Sequence, residues 1–171
     1  MKNKKGFTLI ELLVVIAIIG LLSTLAIVSL NTAREKSRDS KRASDIRVIQ
    51  SAIELEVNEE GAPPTAADWA ALNTAVGEYV VGGALPTPTG TPACAALDAD
   101  PTGDCYLYCE NGSDYLLAAM FESGGPGDIT GDLDGVAASY AAGECIANSG
   151  ALTADPVDID CVDPRFCLGT L

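Results

Sequence analysis

The chain of 171 residues is 48% hydrophobic but only 5% aromatic, carries a formal net charge of −14 and contains no histidine. Lacking histidine, it has neither the commonest general base nor the nucleophile pairs and metal sites built on one. The charge is segregated: three of the ten Lys and Arg residues precede Gly6, six lie within residues 34–47, and only Arg165 follows. The acidic remainder opposes direct binding to nucleic acid phosphates and favours solubility outside the cell.

In chain order, residues 7–30 form an apolar run without proline, interrupted at Glu11, Ser23, Thr24, Ser29 and Gly20. As a helix it would extend about 36 Å, enough to cross a bilayer with some tilt. Lys2, Lys4 and Lys5 hold its start on the cytoplasmic side. An ordinary secretory signal has an apolar core of only about 7 to 15 residues. Here the helical pattern continues through "NTAREKSRDSKRASDIRVIQSAIELEVNEEG". Ile46, Ile49, Ile53 and Val57 recur at helical spacing and predict one face packed on a domain. Residues 34–45 read as polar all round, hence solvated or meeting neighbouring subunits. Gly61, Pro63 and Pro64 end the helix. A helix of about 50 residues, roughly 80 Å, exceeds what a small domain buries and needs partners.

Glu11 is the anomaly. A carboxylate in hydrocarbon costs several kcal/mol unless it is paired or protonated, and no cation lies inside the span. A cut between Gly6 and Phe7 would create a cationic α-amino group on Phe7, able to meet Glu11 of an adjacent copy. The stretch "KGFTLIELLVVIAIIG", residues 5–20, closely resembles the prepilin signal of type IV pilins and of type II secretion pseudopilins. The resemblance implies cleavage after Gly6 by a prepilin peptidase, methylation of the new amino terminus at Phe7, and a register-setting pairing of Glu11 with a neighbour's amine. It further implies a homo-oligomeric helical filament, with an assembly ATPase and a platform protein as partners. Many relatives carry proline where this chain has Val28, so Gly20 is the expected place for the helix to loosen.

Further along, "PPTAADWAALNTAVGEYV" predicts a short helix with Thr65 as N-cap and Gly77 at its end. Residues 82–104, rich in Gly, Pro and Thr, read as loop. "CYLYCENGSDYLLAAMFES" predicts a hairpin turning at Asn111-Gly112; the turn also explains the Asn111-Gly112-Ser113 sequon more cheaply than glycosylation does. Beyond Glu122 the chain reads as loop. Asp128, Asp132 and Asp134 sit among glycines. A solvated acidic loop is the preferred reading there, calcium the alternative, and no cofactor is certain. A second acidic cluster, Asp155, Asp158, Asp160 and Asp163, comes with no nucleophile or phosphate loop, so the chain is not expected to be an enzyme. Cys94, Cys105, Cys109, Cys145, Cys161 and Cys167 read as disulfide formers outside the cytoplasm rather than a thiolate zinc site, with the connectivity open. Disulfide closure of a C-terminal loop is common in pilins, and on that resemblance Cys145 is expected to pair with Cys161 or Cys167.

The expected fold is α+β: a long N-terminal helix, half transmembrane and half amphipathic, packed on a small antiparallel sheet with disulfide-stapled C-terminal loops. The expected organisation is a leader at 1–6, a membrane or filament-core helix at 7–30, its amphipathic continuation at 31–60, and an extracytoplasmic head at 61–171. The preferred role is subunit of a surface type IV pilus, stored in the membrane before assembly. Alternatives are the major pseudopilin of a type II secretion system, forming a periplasmic pseudopilus, and a minor tip pilin acting as an adhesin.

Overall fold

The computed structural model describes residues 8–88, 106–123, 137–140, 145–147, 150–151, 157–160 and 165–170. The chain divides into two compact units, Met1–Glu35 and Lys36–Leu171. Helix α1, Leu9–Glu60, runs unbroken through Gly20 and ends one residue before Gly61. Gly61, at φ 84°, takes the left-handed conformation that closes helices, and its N–H donates to the Val57 carbonyl at 2.8 Å.

In the second unit, the head, Ile46, Ile49 and Ile53 of α1 are fully buried against a sheet. Among the described residues the sheet has five strands, in the order β5 (Gly150–Ala151), β4 (Cys145–Ala147), β1 (Tyr106–Glu110), β2 (Tyr115–Met120) and β7 (Arg165–Thr170), every described pairing antiparallel. Its centre is the hairpin of β1, Tyr106–Glu110, and β2, Tyr115–Met120. Alternate residues Tyr106, Tyr108, Tyr115, Leu117 and Ala119 share the core with the helix isoleucines, as strand pleating requires. The hairpin loop spans four residues rather than a two-residue turn: Asn111 N–H donates to the Asp114 carbonyl at 3.2 Å, and Asn111 Oδ1 accepts the Asp114 N–H at 3.0 Å. Gly112, at φ 91°, supplies the left-handed position.

The region beyond Glu122 departs from the loop expectation. It contains β3, Ala137–Tyr140, β4, Cys145–Ala147, β5, Gly150–Ala151, β6, Val157–Asp160, and β7, Arg165–Thr170. β3 and β6 form a separate two-stranded sheet, while β7 pairs along the whole of β2. Strands β3 to β6 have two to four residues each, too short for their alternation to emerge from the surrounding Gly and Asp, whereas the six-residue β7 carries Phe166 and Leu168 in alternation.

Cys145 bonds to Cys109, not to Cys161 or Cys167 as expected. The two residues lie opposite each other in the β1–β4 ladder with Cα atoms 4.1 Å apart, so the bond staples neighbouring strands rather than closing a terminal loop. Cys167 is also disulfide-bonded. Cys94, Cys105 and Cys161 lie outside the described residues.

The short helix α2, Trp69–Val76, is capped by Asp68, whose carboxylate accepts the Ala71 N–H at 2.8 Å. The expected cap, Thr65, stands too early. Pro63 and Pro64 are buried, and Tyr108 donates to the Pro64 carbonyl at 2.8 Å, which keeps the chain from turning helical there. Leu72 and Val76 then face the core.

The docking of α1 on the sheet is the main apolar contact of the head. Truncating Ile49, which has no exposed surface, leaves a cavity there. Ile49→Ala is predicted to destabilise the head by about 2–5 kcal/mol, read as a lowered thermal midpoint of the purified chain in detergent; an unchanged midpoint would contradict this packing.

Candidate functional site

Two parts of α1 carry the candidate chemistry, one in each unit. In the first, residues 9–30 hold fifteen large hydrophobic side chains, each about half to four-fifths exposed. At about 1.5–3 kcal/mol per fully buried side chain, leaving them in water forgoes on the order of 20 kcal/mol, more than the net stability of a typical domain. The segment is long and apolar enough to cross a membrane. Thr24 in this segment donates to the Leu21 carbonyl at 2.8 Å, and Thr32, just beyond it, donates to that of Val28 at 3.3 Å. Such back-bonding makes a hydroxyl tolerable away from water.

Glu11 sits in the first turn of α1 and is exposed. Its Oε2 accepts both the Thr8 N–H at 2.8 Å and the Thr8 hydroxyl at 2.6 Å. In return the Glu11 N–H donates to Thr8 Oγ1 at 3.3 Å. This reciprocal arrangement is a capping box. It satisfies amide donors that a helix start leaves orphaned and sets the carboxylate where the helix dipole favours negative charge. Among the described residues Glu11 Oε1 accepts no hydrogen bond, so half of the carboxylate stays open to a further donor. The sequence carries the signal as Thr8-x-x-Glu11, set at the start of the membrane span. Gly6 and Phe7 lie outside the described residues. Gly20 lies within the helix, with open space where a Cβ would stand.

The second part corrects the expectation of a stretch polar and solvated all round at residues 34–45: much of it is exposed, but Asp39, Arg42 and Ala43 are buried in the head. Asp39 is completely buried and Arg42 nearly so. Asp39 Oδ1 accepts the Glu122 N–H at 2.9 Å and Arg42 Nη1 at 3.2 Å. Asp39 Oδ2 accepts the Ser123 N–H at 2.9 Å and its hydroxyl at 2.6 Å. Arg42 also donates to the Met120 carbonyl at 3.0 Å and to Glu122 Oε1 at 2.5 Å. Arg38 pairs with both Glu122 oxygens. Helix charges thus clamp the chain where β2 ends. Asp39 and Arg42 continue the Ile46, Ile49 and Ile53 stripe at helical spacing, but their polarity hid them from a hydropathy reading.

Three buried tyrosines keep their hydroxyls bonded: Tyr106 to Asp45 at 2.7 Å, Tyr108 to Pro64, and Tyr115 to Glu54 at 3.4 Å. Burial, with Glu54 alongside, pushes the Tyr115 phenol up to about 12. No group of metal-ligating side chains occurs among the described residues; Asp128, Asp132 and Asp134 lie outside them.

Hydrogen bonds from Arg38, reinforced by Arg42, hold the Glu122 carboxyl down to about 2 from its ordinary 4.5. Because the folded-state value is the lower one, the stabilisation is fully present above about pH 5 and is lost as pH falls toward 2. Glu122→Gln is therefore predicted to lower the unfolding free energy at neutral pH and to flatten its acid limb between about pH 4.5 and 2. Urea melts across that range check this; parallel curves for both proteins would contradict it.

The family model described as the prokaryotic N-terminal methylation motif matches residues 1–27. The chain is 32% identical over 142 residues to the type II secretion system core protein G of Escherichia coli strain K12, covering 75% of this chain and 90% of that protein. It is 28% identical over 138 residues to the protein of the same name from Vibrio cholerae serotype O1, covering 74% and 88%. A fimbrial protein of Pseudomonas aeruginosa is 37% identical over 59 residues, 34% of this chain and 38% of that protein. No solved structure matches the chain.

Proposed function

The chain belongs to the family of type IV pilins and type II secretion pseudopilins, and from that membership we propose that it is the major subunit of a type II secretion pseudopilus. A filament role rests on one observation above the others: the apolar segment of α1, exposed along its whole length, which needs lipid before assembly and neighbouring helices after it. The choice of pseudopilus over surface pilus is supported by the extent of likeness, which covers most of the Escherichia coli core protein G but little over a third of the fimbrial protein.

In this reading the precursor crosses the cytoplasmic membrane once, with its lysine-rich start inside. A prepilin peptidase cuts after Gly6, and Phe7 becomes the methylated amino terminus. An assembly ATPase and a platform protein then drive extraction of the helix into the filament. The Thr8 cap holds one oxygen of Glu11 within its own chain, and the open oxygen receives the cationic amine of a neighbour's Phe7. That pairing neutralises charge in an apolar core, where an unpaired ion costs several kcal/mol. Gly20, without a side chain, is where α1 loosens as helices pack. The role is structural and requires no catalytic group.

Glu11→Ala is predicted to leave membrane insertion intact and to reduce filament yield about tenfold or more, since it strands an amine in the core. Wild-type yield from that variant would overturn the pairing. Mass spectrometry of the filament fraction is expected to find a peptide that begins at N-methylated Phe7. Its enrichment in fibres sheared from the cell surface at native expression would favour the type IV pilus instead.

A further inference from the structure

We propose that Asn111 is a site of self-catalysed covalent modification. The β1–β2 loop converts its side-chain amide to a carboxyl group through a cyclic imide formed with the Gly112 nitrogen, with water as the co-reactant and ammonia as the leaving group. The inference is independent of the filament reading, because every group it uses lies in one loop of one copy.

The chain has six asparagines, and only Asn111 is followed by glycine. A following residue without a Cβ leaves its nitrogen free to swing toward the asparagine side chain. Gly112 has open space where a Cβ would stand and a φ of 91°. Both residues are exposed, so water reaches the loop.

The hydrogen bonds around the amide run in the directions that this reaction needs. Glu110 Oε2 accepts the Gly112 N–H at 2.9 Å, which places a base on the nitrogen that must lose its proton as it attacks. Asn111 Oδ1 accepts the Asp114 N–H at 3.0 Å, the Ser113 N–H at 3.3 Å and the Ser113 hydroxyl at 3.4 Å. These donors polarise the side-chain carbonyl and stand where an oxyanion would form. The Ser113 hydroxyl also lies 3.0 Å from Asp114 Oδ2, so the two backbone amides are the main donors. Asn111 Nδ2, the leaving group, makes no hydrogen bond among the described residues that would hold it back.

Asn73 supplies a contrast within the same chain. Its Oδ1 accepts the Leu85 N–H at 2.6 Å, but it lies inside α2 with Thr74 after it. There the following side chain crowds the nitrogen, and the following amide is committed to the helix.

In the reaction the Gly112 nitrogen bonds to Asn111 Cγ while Glu110 takes its proton. The oxyanion collapses, the Cγ–Nδ2 bond breaks, and the amine departs as ammonia with that proton. Water then opens the five-membered imide at either carbonyl. One opening gives aspartate at position 111, and the other gives isoaspartate, in which the main chain runs through the side-chain carbon. Both products add one negative charge to a chain already at −14, between the carboxylates of Glu110 and Asp114. Isoaspartate also adds one atom to the backbone of the loop that joins the paired strands β1 and β2, where loop length sets register. The change runs one way, so its extent marks the age of each copy.

The test incubates the purified full-length chain in detergent at neutral pH, in water enriched in oxygen-18, and follows the peptide containing residue 111 by mass spectrometry. Asn111 is expected to be lost about tenfold or more faster in the folded chain than in the same chain unfolded in urea with its disulfides intact. Each product is expected to carry one heavy oxygen, with aspartate and isoaspartate both present. Glu110→Gln keeps an oxygen to accept the Gly112 N–H but is no base, and is expected to slow the loss by about tenfold or more. The comparison in urea needs no variant and decides the matter should Glu110→Gln disturb the loop. Equal or slower loss in the folded chain, or an unchanged rate in a folded Glu110→Gln, would overturn the proposal. Aspartate without isoaspartate would indicate direct hydrolysis and overturn the imide route. A sugar on Asn111 in the chain isolated from its host would assign the Asn111-Gly112-Ser113 sequon to glycosyl transfer and likewise overturn it.

Discussion

The head is held together by one contact: the buried face of α1 laid across the tyrosine-bearing side of the β1–β2 hairpin. Ile46, Ile49 and Ile53 supply the helix side, and Tyr106, Tyr108, Tyr115 and Leu117 the sheet side. Apolar burial provides the driving force, while the tyrosine hydroxyls fix orientation by reaching Asp45, Pro64 and Glu54 at the edges of the contact. Asp39 and Arg42 close one end of it. A buried ion pair adds little net stability over a hydrophobic replacement. Here its role is specificity, since the Asp39 carboxylate accepts four donors and three of them belong to Glu122 and Ser123.

The same helix meets two different demands along its length. Within the head it shows a narrow apolar stripe that one sheet can cover. Over residues 9–30 it is apolar on every side and covered by nothing in its own chain, the pattern of a helix made for lipid or for other helices. Glu11 fits this arrangement because the Thr8 cap compensates part of its charge locally and leaves one oxygen for a partner. The described core of the head is thus covered within its own chain, whereas the apolar side chains of the N-terminal segment are exposed.

Long periodic features were legible in the sequence. The uninterrupted helix to Gly61, the isoleucine face and the β1–β2 hairpin all follow from spacing and turn residues that persist over enough positions to be read. What escaped did so for identifiable reasons. Asp39 and Arg42 occupy core positions that a hydropathy pattern assigns to solvent, and only their helical phase with Ile46 betrays them. Strands β3 to β6 are too short to show alternation, and β7, as long as β2, shows it only at Phe166 and Leu168. The Cys109–Cys145 bond depends on β4 aligning beside β1, a long-range register that cysteine spacing does not encode. The Thr8-x-x-Glu11 capping box is legible in its spacing, but it is embedded in an apolar run whose membrane-spanning pattern dominates the local signal.

The central claim is that the apolar segment of α1 becomes the core of a filament. A cryo-electron microscopy reconstruction of filaments purified from cells expressing the full chain tests it most directly. The account predicts residues 9–30 of every copy packed side by side at the axis, with Glu11 against the amino terminus of an adjacent copy. A reconstruction that placed this segment outside the core, or a chain found only as single copies anchored in the membrane, would contradict it.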